Sequence, residues 1–228
     1  MFYTIFYPIV FGIIKTIIWV CGRVTSTGRE NVPKTGGVIY SANHVSDADP
    51  PTLFVTIPRR AWYMGKSELF PQGFQGWFFR QFRGIPIRRD SADRGALRVA
   101  EQKLNNGEPL VVFPEGRCSA AGRLSRLQPG AALLSLRTGC PIVPIGLVNT
   151  NKILPYGKGI PRVINERVTV NFGVPIDPND YAGQPRNEAI DAITRRLGCD
   201  IAALSNQPEP AIQPMRTRKR NVHEQDME

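Results

Sequence analysis

His44 is the side chain best suited to move a proton in this sequence. It lies in Ser41-Ala42-Asn43-His44-Val45-Ser46-Asp47-Ala48-Asp49-Pro50, with two carboxylates close behind it. A neutral imidazole accepts a proton near neutral pH, since its ordinary pKa is about 6.5. A carboxylate on the other ring nitrogen fixes the tautomer and stabilises the imidazolium that forms. Asp47 and Asp49 are equal candidates for that partner by chemistry alone. Ser46 is a nucleophile by type, but it lies two residues from His44 and outside a G-x-S-x-G elbow. The pattern favours direct activation of a substrate hydroxyl over a covalent serine intermediate. The only other histidine, His223, falls in a polar tail.

Two further stretches carry charge at places where a ligand could be held. Val112-Phe113-Pro114-Glu115-Gly116-Arg117-Cys118-Ser119 reads as a strand ending in a Pro-Glu-Gly turn, with Glu115 and Arg117 at its tip. Gly116 lets the backbone approach a ligand closely. A carboxylate and a guanidinium there suit hydroxyl and phosphate groups. Arg83-Gly84-Ile85-Pro86-Ile87-Arg88-Arg89 flanks an extended apolar segment with arginines, a composition fit for phosphate. Cys140-Pro141-Ile142-Val143-Pro144-Ile145-Gly146 reads as architecture. The four cysteines, Cys21, Cys118, Cys140 and Cys199, form no C-x-x-C pair, which argues against a disulfide framework and against a zinc site.

The elements that must position these groups alternate between strand and helix. Strands are expected over 37–41, ending at Asn43-His44, and over 61–64, 109–113, 142–148 and 168–172, with a short extended segment at 85–87. Helices are expected over 51–57, with Asp49 as cap, over 90–104, 129–138 and 187–204, and an aromatic-rich helix or loop over 74–82. Such alternation predicts an α/β fold with a mixed, largely parallel central sheet flanked by helices, its functional residues in loops at strand ends.

Residues 2–20, FYTIFYPIVFGIIKTIIWV, contain one charge, Lys15, and aromatic residues toward both ends. That distribution suits a lipid–water interface. Pro8 favours a kink. Thr4, Pro8, Gly12 and Lys15 share one small-or-polar face at helical spacing. We read residues 1–23 as a membrane-anchoring helix lying in or half inserted into the interface, 24–204 as the chemistry-bearing domain and 205–228 as a polar, disordered tail. The formal net charge of +10 favours anionic partners. Nucleic acid is disfavoured, since the arginines cluster at motif loops and in the tail instead of interleaving with aromatics on one face.

Taken in order, four segments resemble the blocks of the glycerolipid acyltransferase family, which includes the lysophosphatidic acid acyltransferases. Asn43, His44 and Asp49 match its N-H-x-x-x-x-D block, which selects Asp49 over Asp47. Ile85 to Arg89 resembles the second block, Phe113-Pro114-Glu115-Gly116 the third and Val143-Pro144-Ile145 the fourth. The third block commonly reads E-G-T-R-S. Here it is Glu115-Gly116-Arg117-Cys118-Ser119, with the arginine one place earlier; Arg88 replaces a common acidic residue, and Asp47 is extra to the pattern. The resemblance implies that His44 deprotonates a glycerol hydroxyl, that Asp49 orients it, and that Arg89, Glu115, Gly116, Arg117 and Arg88 form the acceptor-binding shell. It implies acyl-CoA or acyl-carrier protein as co-substrate, a lysophospholipid acceptor, work at the cytoplasmic face of the cell membrane, and no metal or redox cofactor. Another lyso-lipid or glycolipid acceptor, or a non-catalytic lipid-binding role, are the alternative expectations.

Overall fold

A computed structural model describes residues 6–88 and 93–210 of the chain. Arg89, Asp90 and the tail beyond 210, with His223, lie outside the described residues, as do residues 1–5.

Among the described residues seven strands form one sheet: β1 (Thr25–Thr27), β2 (Ile39–Ala42), β3 (Trp62–Lys66), β4 (Gly84–Ile87), β5 (Leu110–Val112), β6 (Ile142–Val148) and β7 (Thr169–Phe172). Their order is β1-β7-β6-β2-β5-β3-β4. All neighbours are parallel except β6 and β7, so the expected mixed, largely parallel sheet is present. The central strands are buried on both faces, which is why they read as unbroken apolar runs. Alternate side chains serve opposite layers. Ile39, Leu110, Val112 and Ile142 face a core completed by α4 (Arg94–Asn105), α5 (Gly130–Thr138) and α7 (Arg186–Ser205). Tyr40, Ala42, Val111, Val143 and Ile145 face the core that α2 (Asp49–Thr56) closes with Leu53. The remaining helices are α1 (Tyr7–Gly22), α3 (Phe74–Gln81) and the short α6 (Thr150–Ile153).

Two prolines inside strands have local explanations. Pro86 is in β4, an edge strand, where a missing donor breaks no ladder bond. Pro144 lies in the interior strand β6, opposite a break in the β7 ladder. Regular β6–β7 pairing begins at Ile145↔Phe172 and resumes only as an isolated Ile142↔Ile176 bridge. Pro144 still uses its carbonyl, which accepts from the Gly173 N–H at 2.8 Å.

Some expectations need correction. Asp49 does not cap α2. It is the first helical residue, and its carboxylate turns back into the preceding loop. Pro8 lies at the start of the described helix Tyr7–Gly22, which runs on unbroken after it; residues 1–5 before it, where the expected kink would fall, lie outside the described residues. At the start of the tail Gln207 is still tied to the domain, its N–H donating to Ala202 O at 2.9 Å and its side-chain oxygen accepting from Leu124 N–H. The edge strand β1 was not expected, because Thr-Ser-Thr carries no apolar signal. α4 begins at Arg94 and is capped by Asp93, whose Oδ1 accepts from Ala96 N–H at 3.0 Å.

The long helix α7 lies directly on β6. A β-carbon at Gly146 would come within 2.2 Å of the Leu204 carbonyl carbon, and Asn171 Nδ2 donates to Leu204 O at 2.8 Å beside it. Backbone touches backbone here, so no side chain can yield to make room. Gly146→Ala should cost about 1–3 kcal/mol by overpacking, read as a lowered urea midpoint with an unchanged slope.

Candidate active site

Sheet register brings the two chemistry-bearing loops together. β2 and β5 are parallel neighbours with Ser41 opposite Val112. Three residues further on, the same register sets His44 against Glu115. The His44 N–H donates to Glu115 Oε1 at 2.6 Å, and the His44 carbonyl accepts from Ser119 N–H at 2.7 Å. The backbone of the histidine is thus gripped on both sides by the loop that follows β5. Asn43, fully buried, extends the sheet toward β6. Its Oδ1 accepts from Leu147 N–H at 2.7 Å and its Nδ2 donates to Leu147 O at 3.0 Å.

The imidazole itself is fixed by two contacts. Nδ1 lies 3.0 Å from Asp49 Oδ2, and the ring stacks on Phe113 with centroids 4.1 Å apart and planes 24° apart. Asp49 is wholly buried. The same oxygen that meets His44 accepts from the backbone N–H groups of Val45 at 2.7 Å and Ser46 at 2.8 Å. An ionised carboxylate so placed is a fixed acceptor, so Nδ1 carries the hydrogen and Nε2 is left as the basic nitrogen. Asp47, by contrast, is exposed and accepts from Gly157 N–H at 3.0 Å. Of the two candidate carboxylates, only Asp49 reaches the imidazole. Ser46 is fully buried, with Oγ against the Leu154 and Thr150 carbonyls and accepting from Ala48 N–H. It braces the loop and presents no nucleophile to a substrate.

His44 opens into a cleft of about 520 Å³. Its walls are largely apolar and aromatic, among them Phe54, Phe78, Phe82, Leu97 and Leu134, with Ile14 of α1 closing one side. Lys66 and Arg88 supply positive charge to the lining, and Gly116 contributes backbone. Gly116 has φ 74°, and a β-carbon there would meet only Gln128 Cγ at an unstrained 3.8 Å, so the left-handed turn, more than crowding, calls for glycine there. Arg88 is largely exposed and lies 3.8 Å from Asp93, whose carboxyl is held low first by the Arg88 N–H and then by the Ala96 N–H. Arg117 is exposed and is not part of the cleft lining; Arg89 lies outside the described residues. Among the described residues no group of histidines, cysteines and carboxylates could hold a metal ion.

Glu115 occupies a different place from the one its motif suggests. It is buried behind the cleft, and Oε2 accepts from both the N–H and the hydroxyl of Ser125, at 2.8 and 2.6 Å. With Oε1 on His44, both oxygens serve the protein itself. Sequence reasoning missed Ser125, which stands in an irregular stretch with no pattern to mark it. It also missed Lys66, whose only signal is a charged residue at the end of a strand, and the stacking role of Phe113.

The sequence model of the Acyltransferase family matches residues 23–148, more than half of the chain and including both of these loops. The chain therefore belongs to the Acyltransferase family. It is 29% identical over 198 residues to the 1-acyl-sn-glycerol-3-phosphate acyltransferase of Bacillus subtilis, covering 85% of this chain and 94% of that one. The enzyme of the same description from Streptococcus pneumoniae is 26% identical over 206 residues, covering 89% and 74%. The crystal structure of the 1-acyl-sn-glycerophosphate (LPA) acyltransferase PlsC from Thermotoga maritima matches with a TM-score of 0.64 at 28% identity, over 82% of this chain and 78% of that one. The resemblance read from four short blocks and the fold class expected from the alternation of elements both hold.

Burial is the largest influence on Glu115 and pushes its pKa up from the ordinary 4.5, while bonds from Ser125 and His44 oppose the shift. The folded state thus binds this proton more tightly than the unfolded chain. Its contribution to stability falls as pH rises from 4.5 through the raised value. Glu115→Gln should flatten that part of the stability profile. Glutamine keeps one acceptor oxygen and loses the other, so kcat should fall about tenfold or more while KM for the acceptor stays within about twofold. A raised KM at unchanged kcat would make Glu115 a substrate ligand instead.

Proposed function

We propose that this protein transfers a fatty acyl group from a thioester, acyl-CoA or acyl-carrier protein, to the free hydroxyl of lysophosphatidic acid, giving phosphatidic acid. The observation that carries the reading is the His44–Asp49 pair at the wall of an apolar cleft. In this scheme Nε2 of His44 takes the hydroxyl proton as the oxygen attacks the thioester carbonyl. The tetrahedral intermediate collapses, the carbon–sulfur bond breaks, and the imidazolium returns its proton to the departing thiolate. Asp49 holds the ring and offsets its charge during the proton's stay. The aromatic and aliphatic walls suit an acyl chain. Lys66 and Arg88 suit the acceptor's phosphate, with Arg89 and Arg117 as further cations near the same loops in sequence. The relatives named above, described as acting on 1-acylglycerol-3-phosphate, support the choice of acceptor.

The site belongs at a bilayer, where acceptor and product reside, and we assign α1 to bring it there, at the cytoplasmic face. One face of the helix is buried or half-buried against the domain through Tyr7, Phe11, Ile14, Ile18 and Cys21. Tyr7 also packs edge-on against Phe54 at 5.5 Å and takes the Arg60 guanidinium over its ring at 3.8 Å. The opposite face leaves Ile9, Ile13, Ile17, Trp19 and Val20 exposed. Among the described residues no helix is long and apolar enough to cross a membrane, so the contact fits an interfacial helix lying along the surface.

General-base help is worth about 10²–10⁴ in rate. His44→Ala should therefore lose at least that factor in acyl transfer while still folding, with a thermal midpoint lowered by the lost bond to Asp49. The check is a matrix of acyl-CoA and acyl-carrier-protein donors against lysophosphatidic acid and lysophosphatidylethanolamine acceptors. Near wild-type turnover by the mutant would sink the mechanism. A preference for the second acceptor would relocate the substrate and leave the chemistry standing.

A further inference from the structure

One exposed segment has no part in the site described above. Between α6 and β7 the chain has no regular structure from Tyr156 to Arg167, and every residue from Tyr156 to Val163 is exposed. Ile160 is 79% exposed and Val163 71%, with Tyr156 beside them in sequence. Lys158, Arg162 and Arg167 are interleaved with these apolar residues. The only acidic residue of the stretch, Glu166, is held by Lys152 at 2.6 Å. Large aliphatic side chains alternating with exposed cations suit neither a folded core nor a purely solvated loop. They suit the boundary between acyl chains and anionic headgroups, where the apolar groups leave water and the cations meet phosphate.

The segment is fastened at both ends to the parts that matter. At one end Ile164 N–H donates to Cys21 O and Val168 N–H to Gly22 O, both at 2.8 Å, and the Arg23 guanidinium donates to Asn165 O. These bonds fix it to the C-terminal end of α1, where Trp19 and Val20 are exposed. At the other end Ser46 and Pro155 form a β-bridge, and Gly157 N–H donates to the Asp47 carboxylate at 3.0 Å. Asp47, extra to the motif and unused by His44, is therefore one of the ties between this segment and the catalytic loop.

We propose that Tyr156–Val163 is a second lipid-contacting element that docks on an anionic bilayer surface beside α1. The inference rests on the reading that the enzyme works at a membrane. The test is flotation of the full chain with vesicles of phosphatidylcholine alone and of equal parts phosphatidylcholine and phosphatidylglycerol. Ile160→Ser/Val163→Ser should weaken partitioning to both vesicles about tenfold. Lys158→Glu/Arg162→Glu should weaken it about tenfold on the anionic vesicles alone. Both variants should turn over a water-soluble short-chain acceptor within about twofold of wild type, which shows that the fold and site are intact. If both partition like wild type, the proposal is overturned, whatever an α1 variant does, and the patch would belong to a protein partner. An α1 variant, Ile13→Ser/Ile17→Ser, keeps the two readings apart. Its loss of flotation with the loop variants unaffected removes the loop alone, and failure of the wild type to float at all removes both.

Discussion

A carboxylate taken wholly out of water must be compensated where it sits, and the loop after β2 is shaped by that requirement. Asp49 Oδ2 collects the N–H groups of Val45 and Ser46 together with His44 Nδ1. Three donors from consecutive residues converge on one oxygen only if the backbone curls around it. The curl sets the start of α2, buries Ser46 and aims the imidazole. An isolated buried charge would cost several kcal/mol, and here it is offset by short, charge-assisted bonds. Loop geometry and the orientation of the base are thus consequences of a single solvation problem.

The sheet supplies what the loop cannot. Parallel pairing of β2 with β5 delivers Phe113 and Glu115 to the histidine from a segment about seventy residues away in sequence. Because the register is fixed by apolar side chains buried on both faces, a one-residue slip would invert both cores. The active site inherits that precision, and the Glu115 carboxylate then locks the two loops together through the His44 N–H. Ser125 in turn holds the other Glu115 oxygen and stiffens the second loop internally.

Strands such as 142–148 and helices such as 187–204 were legible because burial on both faces leaves continuous apolar runs and one-sided burial leaves helical periodicity. The His44 and Glu115 segments were legible as charged residues interrupting such runs at strand ends. What was hidden depends on pairing between distant segments. Nothing local distinguishes Asp49 as a helix cap from Asp49 as the acceptor of a preceding loop, since both place a carboxylate at the same turn. Nothing local pairs Ser125 with Glu115, because the irregular chain between them carries no period. A carboxylate beside a guanidinium at a strand tip suits a ligand's hydroxyl and phosphate groups, and nothing local shows that Glu115 is buried; its burial follows from the neighbour that β2 turns out to be.

The edges of the sheet carry a further consequence. β4, at one end of the strand order, contains Pro86, and β1, at the other end, is only three residues long. A proline cannot donate to an incoming strand, and so short a strand offers little to pair with. Copies of the chain that meet at high local concentration therefore find little free backbone through which to zip into aggregates.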